Sequence, residues 1–364
     1  MLSPKPHISR LAPSVHGGPS YRELGGLGLS AKDILDFSVS INPFGPPPGI
    51  RKALGKAEIS AYPDSEANEL KETLAGNLNL STTNLIIGSG STELIRLAAA
   101  AYFGPGDTVL IPQPTYGEYE VAAALVNASV LKVVAMAENN FRFETGRLAA
   151  LVRRHHPRGI FLGNPNNPTG VYLLRKEVAE IIAANPQTLV VLDEAYLAFT
   201  EGAWSSLDLI SRGNLLVVRS MTKDYALAGL RLGYAVASEA IIAALERAKP
   251  PWSVSGPAQK AGVFALNQAG YLEACGCRLR RAKEFLAGNL ARLGFKVLPS
   301  SSNFFLVRVG NAAEFRARLL EKGIMVRDAT SFGLPQYIRL APRRPGECRR
   351  LLGAIKEIVT EGVS

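Results

Sequence analysis

Short runs of Val, Leu and Ile alternate with segments of helical period along most of the chain. "NLIIGSG" (84–90) predicts a strand that ends in a glycine turn, and "STELIRLAAAAYF" (91–103) carries the period of a helix, with Ser91 or Thr92 able to cap it. "DTVLIPQP" (107–114), "GIFLGNPNNPTG" (159–170), "TLVVLDEAY" (188–196) and "NLLVVRSMTK" (214–223) each begin with a further strand. These runs are continuously apolar, which suits strands buried on both faces, so they predict a mostly parallel sheet with helices on both sides. "INPFGPPPGI" (41–50) can be neither a helix interior nor a central strand, because its prolines lack an N–H, and it reads as a rigid connector. Residues 1–30 are rich in Gly and Pro and read as an arm. After Pro257 a helical pattern runs to about Leu293, and "FKVLPSSSNFFLVRV" (295–309) alternates like strands of a separate, more antiparallel layer. The expected organisation is an arm over 1–45 that joins the small domain, a large α/β domain over 46–260, and a smaller α+β domain over 261–364 begun by a long linking helix.

Composition narrows the class. With 364 residues, 47% hydrophobic and 20% charged, the chain is an ordinary globular one. No apolar run approaches the roughly 20 residues of a membrane helix, and the first residues lack the apolar middle of a signal peptide. Three cysteines, two of them in C-x-C spacing, suit neither a disulfide framework nor a zinc site, so a reduced, cytoplasmic protein without a metal is expected. The formal net charge is +10, with basic clusters at Arg278–Lys283 and Pro342–Arg350. No aromatic residues interleave with them, so neither nucleic acid nor membrane is expected as a partner. A basic excess suits an enzyme whose ligands are anionic.

The polar residues at the ends of the predicted strands carry the chemistry, because parallel sheets bind ligands there. Gly88–Thr92 follows one strand, Asn164–Asn167 another, Asp193 and Tyr196 a third, and Ser220–Lys223 a fourth. "GSGST" puts backbone N–H groups at a helix N-terminus, an anion site, but lacks the lysine of a P-loop and the third glycine of a dinucleotide fingerprint. Ser220, Thr222 and Arg231 add hydroxyl and guanidinium groups suited to one phosphate. Asp193 ends an apolar run and would be costly to bury unpaired, and a cationic ring nitrogen would satisfy it. Lys223 is then available to form an imine with an aldehyde. Phosphate, basic ring nitrogen and aldehyde together describe pyridoxal 5′-phosphate.

"GNPNNPTG", "DEAY" and "SMTKDYALAGLRLGY", in that order and spacing, resemble the fold-type-I pyridoxal-phosphate enzymes of the class I/II aminotransferase group. The resemblance covers nearly the whole chain. It implies that Lys223 bonds the cofactor, Asp193 pairs with its ring nitrogen, Asn167 and Tyr196 hydrogen-bond its ring oxygen, and Tyr116 stacks on the ring. By the same resemblance Ser89, Gly90, Ser91, Ser220, Thr222 and Arg231 hold the phosphate, and Tyr62 reaches the cofactor phosphate of a neighbouring subunit in a homodimer.

The reaction turns on how the substrate is oriented. Arg339 in "YIRLAP" matches an arginine that binds a carboxylate in this family, and Arg327 in "GIMVRD" one that binds a substrate phosphate in histidinol-phosphate aminotransferases. "HGG" (16–18), "DFSVSINPFGPP" (36–47) and "PPWSVSGPAQ" (250–259) resemble the threonine-phosphate decarboxylases, with Ser40 and Pro19 standing where that pattern has asparagine. That resemblance places His16 and Asn42 beside a small phosphorylated amino-acid substrate. It implies decarboxylation of L-threonine O-3-phosphate to aminopropanol phosphate in cobalamin biosynthesis. The alternative reading is histidinol-phosphate or another amino-acid aminotransferase using 2-oxoglutarate and glutamate. A non-catalytic protein of the same fold is the remote third, and the presence of Lys223 argues against it.

Overall fold

The structure is a computed structural model that describes residues 2–11 and 14–361. Strand β1 (Leu35–Asp36) lies near the arm. The next seven strands form one sheet: β2 (Leu85–Gly88), β3 (Thr108–Gln113), β4 (Ser129–Val134), β5 (Gly159–Gly163), β6 (Leu189–Asp193), β7 (Leu215–Ser220) and β8 (Gly233–Ala237). Their order is β2-β8-β7-β6-β5-β3-β4. Only β8 runs against its neighbours, antiparallel to both β2 and β7. All other strands therefore present their carboxyl ends to the same edge. The five apolar runs read from the sequence are β2, β3, β5, β6 and β7. Helices cover both faces. Leu70, Leu74, Ile160, Val190 and Val217 share the core on one side, and Ile95, Ala98, Phe161, Val191 and Val218 share the core on the other.

A second sheet, of order β12-β13-β10-β9, is antiparallel: β9 (Lys296–Val297), β10 (Phe305–Arg308), β12 (Arg327–Asp328) and β13 (Tyr337–Leu340). Its core joins Phe305, Val307, Ile338 and Leu340 to Leu286, Leu319, Leu351 and Ile355 of three helices. The short β11 (Ile324–Met325) pairs in parallel with β1 as a separate two-stranded sheet, which ties residues 35–36 to the segment just before β12. Leu24, in the arm helix Tyr21–Gly26, packs with Leu320 and Met325. No helix of the described residues is long and apolar enough to cross a membrane.

Two local expectations need correction. The helical pattern after Pro257 is two helices, Gly256–Leu266 and Tyr271–Arg292. The break needs a left-handed residue, which Gly270 supplies at φ +72°. Ala258, Ala261 and Ala265 of the first helix belong to the core of the large sheet, so residue 260 falls inside an element of that core. The helix Ser91–Tyr102 is not capped by Ser91 or Thr92: its N-cap is Gly90, with no side-chain hydrogen bond. Its first N–H groups are thus left without a side-chain cap at the sheet's carboxyl edge.

Candidate active site

The carboxyl ends of β2, β5, β6 and β7 open onto a cavity of about 140 Å³, closed from the other side by the arm and the small sheet. Ser91, Tyr116, Asn167, Asp193, Tyr196, Thr222, Lys223 and Arg231 line it from the large sheet. His16 lines it from the arm, and Arg327 and Arg339 from β12 and β13. Eleven of the sequence-predicted residues therefore meet in one space.

The end of the cavity beside Arg231 is built on glycine. Gly90 has φ +84°, and a Cβ there would stand 2.9 Å from Arg231 Nη2. Gly233 on β8 has no room for a Cβ either, since it would meet Ser91 N at 2.8 Å and Arg219 O at 2.9 Å. These close approaches bring β8, the start of the 91–102 helix and Arg231 together. The Ser220 and Thr222 hydroxyls are 2.6 Å apart, Ser220 lying behind Thr222 rather than on the cavity wall. Ser89 does not reach the cavity; its N–H donates to Glu93 Oε2 at 2.5 Å.

Asp193, at the end of β6, is buried. Tyr119 Oη donates to its Oδ2 at 2.9 Å and the Ala195 N–H to its Oδ1 at 2.9 Å. Burial raises its pKa above the usual carboxylate value, opposed by those two donors and by Lys223. Tyr119 is a site residue the sequence reading missed. Tyr116 lies just before the helix Glu118–Leu125 and Tyr119 within it, so only the fold brings Tyr119 to Asp193. Tyr119 also stacks on Phe161 at 5.1 Å and meets Tyr116 edge-on at 5.6 Å. Burial pushes the Tyr116 hydroxyl up to about 12, and that hydroxyl lies 3.3 Å from Thr92 Oγ1.

Arg327 and Arg339 are both buried, at 7% and 5% exposure. Arg327 Nη2 donates to the Val15 carbonyl and to Ser331 Oγ, each at 2.7 Å. Arg339 donates to Asn167 Oδ1, and through Nη2 to the Ser38 carbonyl at 2.7 Å, while its Nε has no partner. Among the described residues neither arginine forms an ion pair. Burial, and for Arg327 the neighbouring Arg339 charge as well, lowers both pKa values, that of Arg327 to about 10. Asp328 acts on Arg327 and Asp36 on Arg339 only at a distance, so two buried guanidinium groups without an ion-pair partner suit an anion.

Asn42 and Tyr62, like Ser89 and Ser220, lie off the cavity. Asn42 is buried, and its Nδ2 donates to the Asp224 carbonyl at 2.9 Å and lies 3.2 Å from the Tyr271 hydroxyl. It braces the backbone around Lys223 and does not present itself to a substrate. Tyr62 is 80% exposed and stacks on Trp252 at 4.4 Å, outside its own chain's cavity. His16 is at the mouth, with Nε2 3.2 Å from Glu118 Oε1.

The cavity fits pyridoxal 5′-phosphate: an uncapped helix start beside Arg231 for the phosphate, a buried carboxylate for a ring cation, and Lys223 between them in sequence. Comparison with known proteins agrees. The chain is 35% identical to the histidinol-phosphate aminotransferase of Symbiobacterium thermophilum over 100% of both chains. The crystal structure of histidinol-phosphate aminotransferase from Sinorhizobium meliloti in complex with pyridoxal-5′-phosphate is 26% identical, covers 98% of this chain and 97% of its own, and superposes with a TM-score of 0.88. L-threonine-O-3-phosphate decarboxylase from Porphyromonas gingivalis is 28% identical over 90% of this chain and 100% of its own, with a TM-score of 0.79. The expectation of threonine-phosphate decarboxylation is overturned by the full-length relatives, which are histidinol-phosphate aminotransferases at 32–35% identity. The arm and connector that suggested it do not carry the distinction: Asn42 hydrogen-bonds the backbone around Lys223, and His16, though it lines the cavity, lies 3.2 Å from Glu118 Oε1. Residues 32–355 match the family Aminotransferase class I and II, whose cofactor is pyridoxal 5′-phosphate, and the chain is an enzyme of that family with the type I fold.

Proposed function

We propose that this chain is an aminotransferase that exchanges the amino group of a phosphorylated amine, histidinol phosphate, with the oxo group of 2-oxoglutarate. The observation that carries the reading is the pair of buried, unpaired guanidinium groups of Arg327 and Arg339 in the same cavity as Lys223. The names of the full-length relatives support it.

Pyridoxal phosphate, when bound, supplies an aldehyde that takes the substrate amine and a ring that accepts the electron pair of the α-carbon. Lys223 would bond it, and the Lys223 amine, freed by the substrate amine, takes the α-carbon proton. Asp193 keeps a proton on the ring nitrogen, with Tyr119 and the Ala195 N–H holding the carboxylate in place. Tyr116 would stack on the ring, and Asn167 and Tyr196 would hydrogen-bond the ring oxygen. Gly90, Ser91, Thr222 and Arg231 would hold the phosphate, with Ser220 positioning Thr222. Asn167 accepts from Arg339, so the group that would touch the ring is tied to the group that would bind the substrate anion. An anion fixed by Arg327 and Arg339 orients the substrate so that the C–H bond, rather than another α-carbon bond, is the one broken.

Arg327→Ala tests the phosphate reading. Losing charge-assisted contacts of about 1.5–3 kcal/mol lowers kcat/KM for histidinol phosphate by roughly 10- to 100-fold, with a smaller loss for glutamate as donor. Equal losses for both donors would count against a phosphate at Arg327.

The proposal includes a homodimer. Tyr62 stands on the surface beside the stacked Trp252, with Ile59 83% exposed three residues away. In a dimer Tyr62 would reach the cofactor phosphate of the partner subunit. Sedimentation equilibrium is expected to give a dimer mass, and a monomer at working concentration contradicts this part.

A further inference from the structure

Glu93 is a carboxylate that the roles above leave unused. It lies in the first turn of the helix Ser91–Tyr102, beside the groups that would hold a phosphate, and its charge there opposes an incoming anion. The contacts of its carboxylate show what it holds instead. Oε2 accepts from the Ser89 N–H at 2.5 Å and from the Ser253 hydroxyl at 3.2 Å. The same oxygen packs over Gly88, where a Cβ would stand 3.1 Å from it and 2.8 Å from Leu94 Cγ. The Gly90 N–H donates to the Gly88 carbonyl at 2.8 Å. Two successive N–H groups are thus drawn back into the turn 88–90, and the next two residues, Ser91 and Thr92, line the cavity.

Ser253 brings a distant loop to this turn. It follows Trp252, which holds a left-handed backbone at φ +56°, a conformation that a residue with a side chain adopts only at a cost. The Trp252 ring is stacked on Tyr62 at the surface. On the other side of Ser253, Val254 is buried in the core of the large sheet. Gln259 Nε2 donates to the Val254 carbonyl at 3.0 Å and to the Asp64 carbonyl at 2.8 Å, so the loops that carry Trp252 and Tyr62 are tied together. Held on both sides, Ser253 delivers its hydroxyl to Glu93. A line of contacts therefore runs from the exposed Tyr62–Trp252 pair, through Ser253 and Glu93, to the turn 88–90.

We propose that Glu93 and Ser253 are positioning residues for the cofactor phosphate: the Trp252 loop, through Ser253, fixes the Glu93 carboxylate on the turn 88–90, and the turn so fixed aims the uncapped N–H groups of Ser91 and Thr92 at the phosphate. The inference rests on the reading of this helix start as the phosphate site. Neither side chain lines the cavity, so neither touches the cofactor. Their effect is to keep the donors in place before the anion arrives, which spares binding the cost of ordering the turn. The charge of Glu93 works against the phosphate and its hydrogen bonds work for it, so the two contributions have opposite signs and can be separated.

Full-length protein freed of cofactor is titrated with pyridoxal phosphate and, separately, with pyridoxal, which lacks the phosphate, and the dissociation constants are read from visible absorbance. Glu93→Ala is expected to weaken pyridoxal phosphate by about tenfold or more and to leave pyridoxal unchanged. Glu93→Gln keeps an oxygen for the Ser89 N–H and removes the charge, so it recovers most of that loss. Ser253→Ala weakens pyridoxal phosphate by roughly three- to tenfold in the wild-type background, and adds nothing once Glu93 is alanine. Equal affinities of the Ala and Gln variants, or losses that are the same for pyridoxal phosphate and pyridoxal, overturn the inference. A Ser253→Ala effect of the same size in both backgrounds overturns the link from the Trp252 loop. If Glu93→Ala does not fold, the loss for Ser253→Ala, selective for the phosphate or not, decides alone. Wild-type protein that binds neither compound overturns the cofactor reading together with the inference, whereas normal wild-type binding with indifferent variants overturns the inference alone.

Discussion

Tyr119 donates to Asp193 Oδ2 at 2.9 Å, and this contact helps set how readily that carboxylate ionises. Burial raises the Asp193 pKa, and the Tyr119 hydroxyl, the Ala195 N–H and Lys223 oppose the rise. Asp193 must be anionic to keep a proton on a ring nitrogen. Tyr119→Phe removes one of the opposing donors, so the pKa climbs further and the acidic limb of the kcat profile moves to higher pH. The stability cost of the lost hydrogen bond is about 1–3 kcal/mol. An acidic limb unchanged in the variant would show that Tyr119 does not act through Asp193. Asp193 was legible in the sequence because an acid at the end of an apolar run needs a partner. Tyr119 was not, because its bond to Asp193 spans 74 residues and only the fold brings the two together. Asn42 was named through the resemblance to the decarboxylases, but its direction was not legible: the same side chain could have faced the cavity, and it faces the backbone of Lys223 and Asp224.

Among the elements of the large sheet, the inner strands were the readable ones, since each is buried on both faces and so is largely apolar, whereas β12 and β13, which carry Arg327 and Arg339, were not read. β4 and β8 escaped the reading for different reasons. β4, "SVLKVV", lies at the edge of the sheet with alternating exposed positions, so its apolar signal is diluted. β8, "GYAVA", carries small residues at Gly233, Ala235 and Ala237, which weaken its apolar signal, and Gly233 passes close to Ser91 and Arg219. The start of the 91–102 helix shows the reverse case. Local propensity favours a serine cap, but Gly90 takes the cap position and leaves the N–H groups without a side-chain partner, at the place where an anion is to bind. The element is locally less well satisfied, and the site gains a binding group.

At the scale of the whole molecule, two cores meet around one cavity and contribute different halves of the chemistry. The large sheet supplies Lys223, Asp193 and the phosphate cup. The small sheet supplies the two arginines, and the arm closes the mouth with Val15 on Arg327 and His16 on Glu118. The cofactor was therefore written in motifs of the large sheet, whereas the choice of reaction depends on how the two halves face each other. Short arm motifs such as "HGG" and "SINPFG" pointed toward decarboxylation, but the full-length relatives do not follow them, and of their residues Asn42 braces the backbone while His16 and Ser40 line the cavity. The most direct test of the account follows the two half-reactions on purified holoenzyme. Histidinol phosphate alone should bleach the visible cofactor band, and 2-oxoglutarate added afterwards should restore the band and yield one glutamate per site. A band that histidinol phosphate leaves unchanged, or one that 2-oxoglutarate fails to restore, would contradict the account.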